Sequence, residues 1–237
     1  MKANPWLDER LRLASIEITR RCDNHCAYCE QPREARDLPL AQCTELLDEL
    51  AAEGFEAVAL GGGEPTLYPN LISLLEEVQR RGLRAGLTTN ARDPTQVAAL
   101  ADADLLHRFG VSAGKGSWQI LAAHSRATVN LLLLRGGLPQ VMAWTVEALR
   151  HHANCLLLLG YKGSCPAFVP TADELSNAFG LLAGLGRSAG ITVAADDYVR
   201  RRLGLSTVCG EGFLRVNMDV ARDDCCFPAC EYRGEKP

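Results

Sequence analysis

Three cysteines stand close together near the N-terminus, Cys22, Cys26 and Cys29, with three and then two residues between them. Three thiolates on one short loop can hold three irons of a cubane iron–sulfur cluster, the usual task of clustered cysteine ligands. The fourth iron then lacks a protein ligand and stays open to a small molecule. Zinc is the competing reading, but structural zinc closes its tetrahedron with four ligands, usually from two separated pairs. His25 offers a fourth ligand only by crowding the two cysteines it lies between. Downstream, an apolar run at 57–60 ends in Gly61-Gly62-Gly63-Glu64-Pro65-Thr66. Glycines at such a point let backbone approach a ligand closely. The bland alternative is a turn after a strand, and Glu64 followed by Pro65 tips the balance toward a binding loop.

Together, Cys22-x3-Cys26-x2-Cys29 with Tyr28 before the last cysteine, and the Gly62-Gly63-Glu64-Pro65 run after a strand, resemble the paired motifs of the radical S-adenosylmethionine (SAM) superfamily. The resemblance implies that Cys22, Cys26 and Cys29 are the catalytic and metal-binding cysteines, holding a 4Fe–4S cluster with one open iron. SAM would bind that iron through its amino and carboxylate groups. Gly62, Gly63 and Glu64 would receive the amino group, Tyr28 would pack near the adenine, and Asn90 would lie near SAM. By order of strands rather than by motif, Ser112 would approach the ribose or the methionine carboxylate, and Asn130 the adenosine. The implied chemistry is reductive cleavage of SAM to a 5′-deoxyadenosyl radical that abstracts a substrate hydrogen atom, fed by an electron donor such as flavodoxin or ferredoxin.

A second group of cysteines, Cys209, Cys225, Cys226 and Cys230, gathers at the C-terminus around the alternating stretch 212–219. This pattern resembles the twitch or SPASM-like extension that carries an auxiliary iron–sulfur cluster in some members, with Cys165 as a substitute ligand. It departs from that pattern in its compactness, because adjacent Cys225 and Cys226 cannot easily both bind one cubane. A zinc site and free, redox-active thiols stay open as alternatives. Such extensions are common in members that modify peptides or proteins, which makes a peptide the first substrate expectation. A small-molecule or nucleotide substrate is the alternative, since the short chain shows no peptide-recognition domain. A non-catalytic iron–sulfur or zinc sensor is the third reading, and the intact cysteine triad with Glu64 speaks against it.

The elements that must position these groups alternate along the chain. Ser15 to Thr19 reads as a strand running straight into the cysteine loop. A helix opened by Pro39 carries Leu40, Cys43, Leu46, Leu47 and Leu50 on one stripe and stops at Gly54, so Cys43 reads as a core thiol. Further strands are expected at 57–60, 83–89, 105–112, 127–134 and 155–160, with helices at 71–81, 94–101, 118–123, 138–151 and 171–188. Six strand–helix units in succession imply a parallel sheet with right-handed crossovers. The fold expected is α/β, a partial (β/α)6 TIM-type barrel over 1–197 with a small Cys-rich extension over 198–237. In a barrel the loops after strands converge on one face, which would gather the cysteine loop, Glu64, Asn90, Ser112 and Tyr161-Lys162. A further strand at 191–195 ends in Asp196-Asp197, suited to a cavity carboxylate or a helix cap. Tyr161-Lys162 reads equally as an anion-meeting pair or a solvated one, and Arg200-Arg201-Arg202 most simply as a solvated basic patch.

Composition narrows the remaining classes. At 237 residues, 47% hydrophobic and 23% charged, the chain can bury one full core. A net charge of −4 gives no invitation to nucleic acid. No apolar run approaches a membrane span, and the N-terminus lacks the apolar stretch of a signal peptide. Ten cysteines without an export signal point to a reducing, cytoplasmic compartment, where they serve as ligands or core thiols.

Overall fold

The structure, a computed structural model, describes residues 11–205, 210, 212–227 and 229–233. Its strands are β1 (Leu13–Thr19), β2 (Ala57–Gly62), β3 (Arg84–Thr89), β4 (Arg108–Ser112), β5 (Ala127–Leu133), β6 (Cys155–Gly160), β7 (Thr192–Ala195), β8 (Phe213–Val216) and β9 (Arg222–Asp223). The helices are α1 (Leu40–Ala52), α2 (Leu71–Arg80), α3 (Pro94–Asp102), α4 (Trp118–Ala122), α5 (Leu138–Arg150), α6 (Ala172–Ala189) and α7 (Asp197–Arg202). The expected alternation is therefore present, each helix carrying the chain back to begin the next parallel strand.

The nine strands among the described residues form one open sheet in the order β7-β6-β5-β4-β3-β2-β1-β8-β9. Strands β1 to β7 are parallel neighbours in sequence order. The C-terminal strand β8 extends the other edge, parallel to β1 from Leu13↔Phe213 to Ile16↔Val216. The tail hairpin expected from its alternation is β8 with β9, paired antiparallel at Arg215↔Asp223 and Val216↔Arg222. One sheet thus runs through barrel and tail, and the boundary expected after Asp197 falls in the first turn of α7.

Alternate residues explain the two faces. Ala14, Ile16 and Ile18 of β1, Val58 and Leu60 of β2, and Val129, Leu131 and Leu133 of β5 are buried in the core. The helices supply its other side, Leu46, Leu47 and Leu50 from α1 and Leu71, Leu74, Leu75 and Val78 from α2. The residues between them face the opposite way. Ala59, Gly86, Gly110, Asn130, Leu157 and Ala194 line a single cavity of about 260 Å³, which can touch strands from β1 to β7 only because the sheet curls. Small side chains on β2 to β4 keep this lumen hollow, where a complete barrel is packed with layers of bulky ones.

Candidate active site

The cysteine loop leaves β1 and is pinned at its base. Thr19 Oγ1 donates to Asp37 Oδ1 at 2.6 Å, and Arg21 Nε reaches Asp37 Oδ2 at 2.8 Å. Backbone bonds from Arg20 N to Arg36 O and from Leu38 N to Ile18 O close the two ends together. Between them Cys22 and Cys26 are half-buried and Cys29 is exposed, all three as free thiols. A turn bond from Cys29 N to Cys26 O, 3.0 Å, brings the last two onto one bend. Burial pushes the Cys22 thiol up, with Cys26 adding to it. Burial likewise raises the Tyr28 hydroxyl, and the adjacent Cys26 and Cys29 sulfurs raise it further, so two of the three thiols lie close to this side chain. Among the described residues, no three His, Cys, Asp or Glu side chains are drawn together to hold a single metal ion. The donor set on the loop is three thiols, which fits an iron–sulfur cluster.

The turn after β2 lies directly on this loop. Gly63 N donates to Thr19 O and Glu64 N to Arg21 O, each at 2.7 Å. Gly62 has φ +114°, and a Cβ there would overlap the Thr19 carbonyl oxygen; one at Gly63 would overlap that of Arg21. The close approach expected at these glycines is thus an approach to the chain's own backbone at the end of β1.

Glu64 is 1% exposed and serves as the acceptor that gathers the site. Its Oε1 takes Thr66 N at 3.2 Å, Thr66 Oγ1 at 2.8 Å and Thr89 Oγ1 at 2.8 Å. Its Oε2 takes only Asn90 N, at 2.7 Å. Each carboxylate oxygen offers about two lone-pair positions, so Oε1 is filled and Oε2 retains one. Asn90, at the end of β3, then reaches back to the cysteine loop with Nδ2 donating to Asp23 Oδ1 at 2.8 Å, beside Arg92 Nε on Asp23 Oδ2 at 3.0 Å. Burial alone would raise the Asp23 carboxyl, but these donors outweigh it and hold it below the usual range.

Ser112, the last residue of β4, is the register partner of Asn130 in the middle of β5. Ser112 O accepts from Lys115 N, and the Lys115 ammonium lies 5.4 Å over the Tyr28 ring. Asn130 is 8% exposed, lines the lumen, and its Oδ1 has no partner. Gly110 makes room for it, since a Cβ there would stand 2.6 Å from Asn130 Nδ2. A buried amide oxygen without a donor costs about 1–3 kcal/mol, which a bound group bearing an N–H or O–H would relieve.

The far side of the site is built from β6, β7 and the tail. Tyr161 is buried and its hydroxyl donates to Glu30 Oε1 at 2.8 Å; Ser164 N and Oγ donate to the same oxygen. Glu30, next to Cys29, thereby ties the cysteine loop to the loop after β6. Lys162 Nζ stands 2.8 Å from Asp196 Oδ2 and 3.4 Å from Cys226 Sγ. Burial works against its ammonium, but Asp196 and Cys226 outweigh this and hold it above the lysine range. The solvated reading of Tyr161-Lys162 is therefore corrected. Asp196 fills both roles weighed for it, capping α7 through Val199 N at 2.9 Å and lining a mouth cavity of about 240 Å³ with Tyr28, Cys29, Lys162 and Phe227. The arginine triplet is not a free patch either. Arg201 stacks 4.2 Å over Tyr232, and Arg202 holds Tyr198 Oη at 3.2 Å and Glu231 at 3.6 Å, fastening the C-terminal turn.

In the tail, Cys225 and Cys230 are buried and Cys226 half-buried, all as free thiols. Cys209 lies outside the described residues. Cys165 is half-buried on the loop after β6, its N–H on Tyr161 Oη. The structure thus gathers Cys22, Cys26, Cys29, Tyr28, Gly62, Gly63, Glu64 and Asn90 around the ends of β1 to β3, with Ser112 and Asn130 beside them. Sequence reasoning missed Asp23, Glu30 and Arg92. Their only signal was adjacency to Cys22, Cys29 and Asn90.

Comparison with known proteins follows the same lines. The family model for the radical SAM superfamily matches residues 16–133. A PqqA peptide cyclase of Rhodopseudomonas palustris is 37% identical over 98 residues, covering 39% of this chain and 26% of that protein. The PqqA peptide cyclase of Streptomyces rochei is 28% identical over 198 residues, covering 69% of this chain and 53% of that one. The chain therefore spans about half or less of the length of these relatives. Among solved structures, Streptococcus suis SuiB bound to precursor peptide SuiA superposes with a TM-score of 0.76 over 91% of this chain and 59% of that one, at 14% identity. That likeness speaks to the fold, an open partial barrel.

Proposed function

The chain belongs to the radical SAM superfamily through its domain at 16–133, and from that premise we propose that it is an enzyme that cleaves SAM reductively and modifies a peptide. The observation that carries this reading is the free thiol set Cys22, Cys26 and Cys29 on a loop fastened to the Glu64 turn. A peptide substrate is supported by the relatives, PqqA peptide cyclases, whose name states their substrate.

The three thiolates would hold three irons of a 4Fe–4S cluster. With SAM on the open iron, that group supplies a carbon radical strong enough to take a hydrogen atom from an unactivated C–H bond. The protein supplies binding, orientation and exclusion of water. Glu64 Oε2, with one lone-pair position left, is the acceptor for an N–H of the methionine amino group, and its fixed position on four donors means no reorganisation on binding. Asn130 Oδ1 would accept from the adenosine, the Tyr28 ring would cover the adenine, and Ser112 would meet the ribose or carboxylate. Gly62 and Gly63 place the Glu64 turn against the cysteine loop. The mouth cavity beside Cys29 would admit the peptide side chain.

In the same reading the tail cysteines bind an auxiliary iron–sulfur cluster, supported by the buried, neighbouring thiols Cys225 and Cys230. A flavodoxin or ferredoxin would deliver the electron, in the cytoplasm. Among the described residues no helix is long and apolar enough to cross a membrane.

The test is anaerobic reconstitution with iron and sulfide, followed by iron counting and an assay of 5′-deoxyadenosine from SAM with dithionite. A Cys22/Cys26/Cys29→Ala variant should lose cleavage and part of the iron. A fully loaded wild type that never cleaves SAM, with or without peptide, would refute the proposal.

A further inference from the structure

We propose that Lys115 binds the carboxylate of SAM, so that the methionine end is held by a charge of each sign, Glu64 on the amino group and Lys115 on the carboxylate. This rests on the reading of the chain as a SAM-cleaving enzyme and adds a residue to that same site.

Lys115 lies in the loop after β4, and that loop is fixed against the end of β3. Ser117 N donates to Ala91 O at 3.2 Å, and Ala113 N to Asn130 O at 3.0 Å. Gly116 comes so close that a Cβ there would overlap the Ala91 carbonyl and stand 2.7 Å from Asn90 O. Asn90 N is the donor on Glu64 Oε2, the carboxylate oxygen with one lone-pair position left. The backbone of Lys115 is therefore one residue from the contact with Asn90. From there its side chain reaches to the cysteine loop, where Nζ stands 5.4 Å over the Tyr28 ring.

Its charge is unspent. Around the same site Arg21, Arg92 and Lys162 each hold a carboxylate, those of Asp37, Asp23 and Asp196. Lys115 is half-buried and has no carboxylate partner among the described residues. The Tyr28 ring is a weak substitute, since 5.4 Å is near the outer limit of about 6 Å for an ammonium over a ring. An ammonium has three donors, and a carboxylate that gives one oxygen to iron keeps the other for a donor. A bond between opposite charges is the stronger kind. Adenine arriving on the ring face that Lys115 covers would displace the ammonium, and the carboxylate of the same molecule offers it a better partner. That division leaves Ser112 to the ribose.

The test uses two ligands that differ only in this group. SAM and decarboxylated SAM, which keeps the amino group, sulfonium and adenosine, are titrated anaerobically into the iron-loaded protein and into its Lys115→Met variant. The variant should bind SAM about tenfold more weakly, the low end for a hydrogen bond to a charged group, and decarboxylated SAM within about twofold of the wild type. An equal loss for both ligands, or no loss for SAM, overturns the inference. Arg33→Met removes an exposed cation of the cysteine loop and should leave the ratio of the two affinities as it was. A matching fall in that ratio would make the effect one of overall charge, and overturns the inference. A loaded wild type that binds neither ligand removes the SAM reading, and this inference with it. A second measurement uses the unaltered chain, in which labelling of Lys115 by an amine reagent is mapped by mass spectrometry. At equal occupancy SAM should slow that labelling more than decarboxylated SAM does; equal protection overturns the inference.

Discussion

Glu64→Gln separates two roles that one carboxylate plays here. In the structure Oε1 receives three donors and Oε2 one, all within the chain and without any ligand. The variant can present its amide oxygen to the three donors, but its NH2 then confronts Asn90 N–H, donor against donor. One bond to a charged acceptor disappears, at about 1.5–3 kcal/mol, and three others weaken from charged to neutral acceptors. Removing a buried charge returns part of that loss. The net expectation is a protein less stable by about 2–4 kcal/mol before any iron or SAM is added. Urea denaturation of the iron-free protein, followed by tryptophan fluorescence, reads it directly. With two-state behaviour the shift appears in the midpoint while the slope stays constant.

The outcome discriminates because a carboxylate reserved for SAM would behave differently. Were Glu64 waiting only for the methionine amino group, Glu64→Gln would leave the iron-free midpoint in place and weaken SAM binding alone. A midpoint unchanged to within about 0.5 kcal/mol, the usual scatter of a neutral substitution, would refute the argument that Glu64 braces its turn against β3.

Other expectations follow from the same geometry. Gly62→Ala places a Cβ on the Thr19 carbonyl at positive φ and should cost about 3 kcal/mol or more, read as a fall in melting temperature with loss of bound iron. Asn130→Leu removes an unpaired buried acceptor, so the iron-free protein should hold its stability or gain up to about 1 kcal/mol. SAM binding to the loaded protein should weaken about tenfold, a loss of about 1.4 kcal/mol, and equal affinity in titration would count against Asn130 as a cofactor contact. Lys162→Met strands Asp196 and should cost about 3–5 kcal/mol, with much of it recovered in Lys162→Met/Asp196→Asn when both unfolding curves are compared. Asp23 and Glu30 both sit below their ordinary values of 3.8 and 4.5, burial opposing and their hydrogen-bond donors prevailing. Their contribution is therefore present above those values and lost as pH falls through the lowered native ones. Both are well exposed, so each should give less than about 1 kcal/mol, visible as a smaller acid-side drop in the urea midpoint of Asp23→Asn and Glu30→Gln.

The parts of this site that were legible in the sequence are those whose geometry is local. Cys22, Cys26 and Cys29 lie on one loop whatever surrounds it, and a strand ending in glycines before Glu64 needs only its own residues to be recognised. The strand–helix alternation was readable for the same reason, because burial alternates along each strand and recurs around each helix. What eluded reading is the bonding that joins loops far apart in sequence. Asp23 meets Asn90 and Arg92 at separations of 67 and 69 residues, and Glu30 meets Tyr161 at 131. A charge reads the same from sequence whether it is solvated or paired, so Lys162 read equally as anion-meeting or solvated and Arg200-Arg201-Arg202 looked like surface. Likewise a glycine says that something comes close, but not what: at Gly62 and Gly63 it is the end of β1.

These distant bonds share a direction. Glu64 and Asn90 tie the cysteine loop to β3, Glu30 ties it to the loop after β6, and Met218 N on Glu17 Oε2 with Arg36 on Asp219 ties β1 and the loop's end to the tail. A loop proposed to present three thiols to one cluster gains little from its own short backbone, which holds the bend from Cys29 to Cys26 and the closure of its ends at Arg20. Its position is set from three sides by side chains, of which Glu64 and Asn90 are also assigned to SAM while Glu30, Glu17 and Arg36 serve only to support, as a precise site requires. The tail belongs to that support as much as to any second cluster. It extends the sheet beside β1, its Phe227 lines the cavity next to Cys29, and its Cys226 meets Lys162 of that cavity's wall. Changes in the tail should therefore be felt at the first cluster, even where they touch none of its ligands.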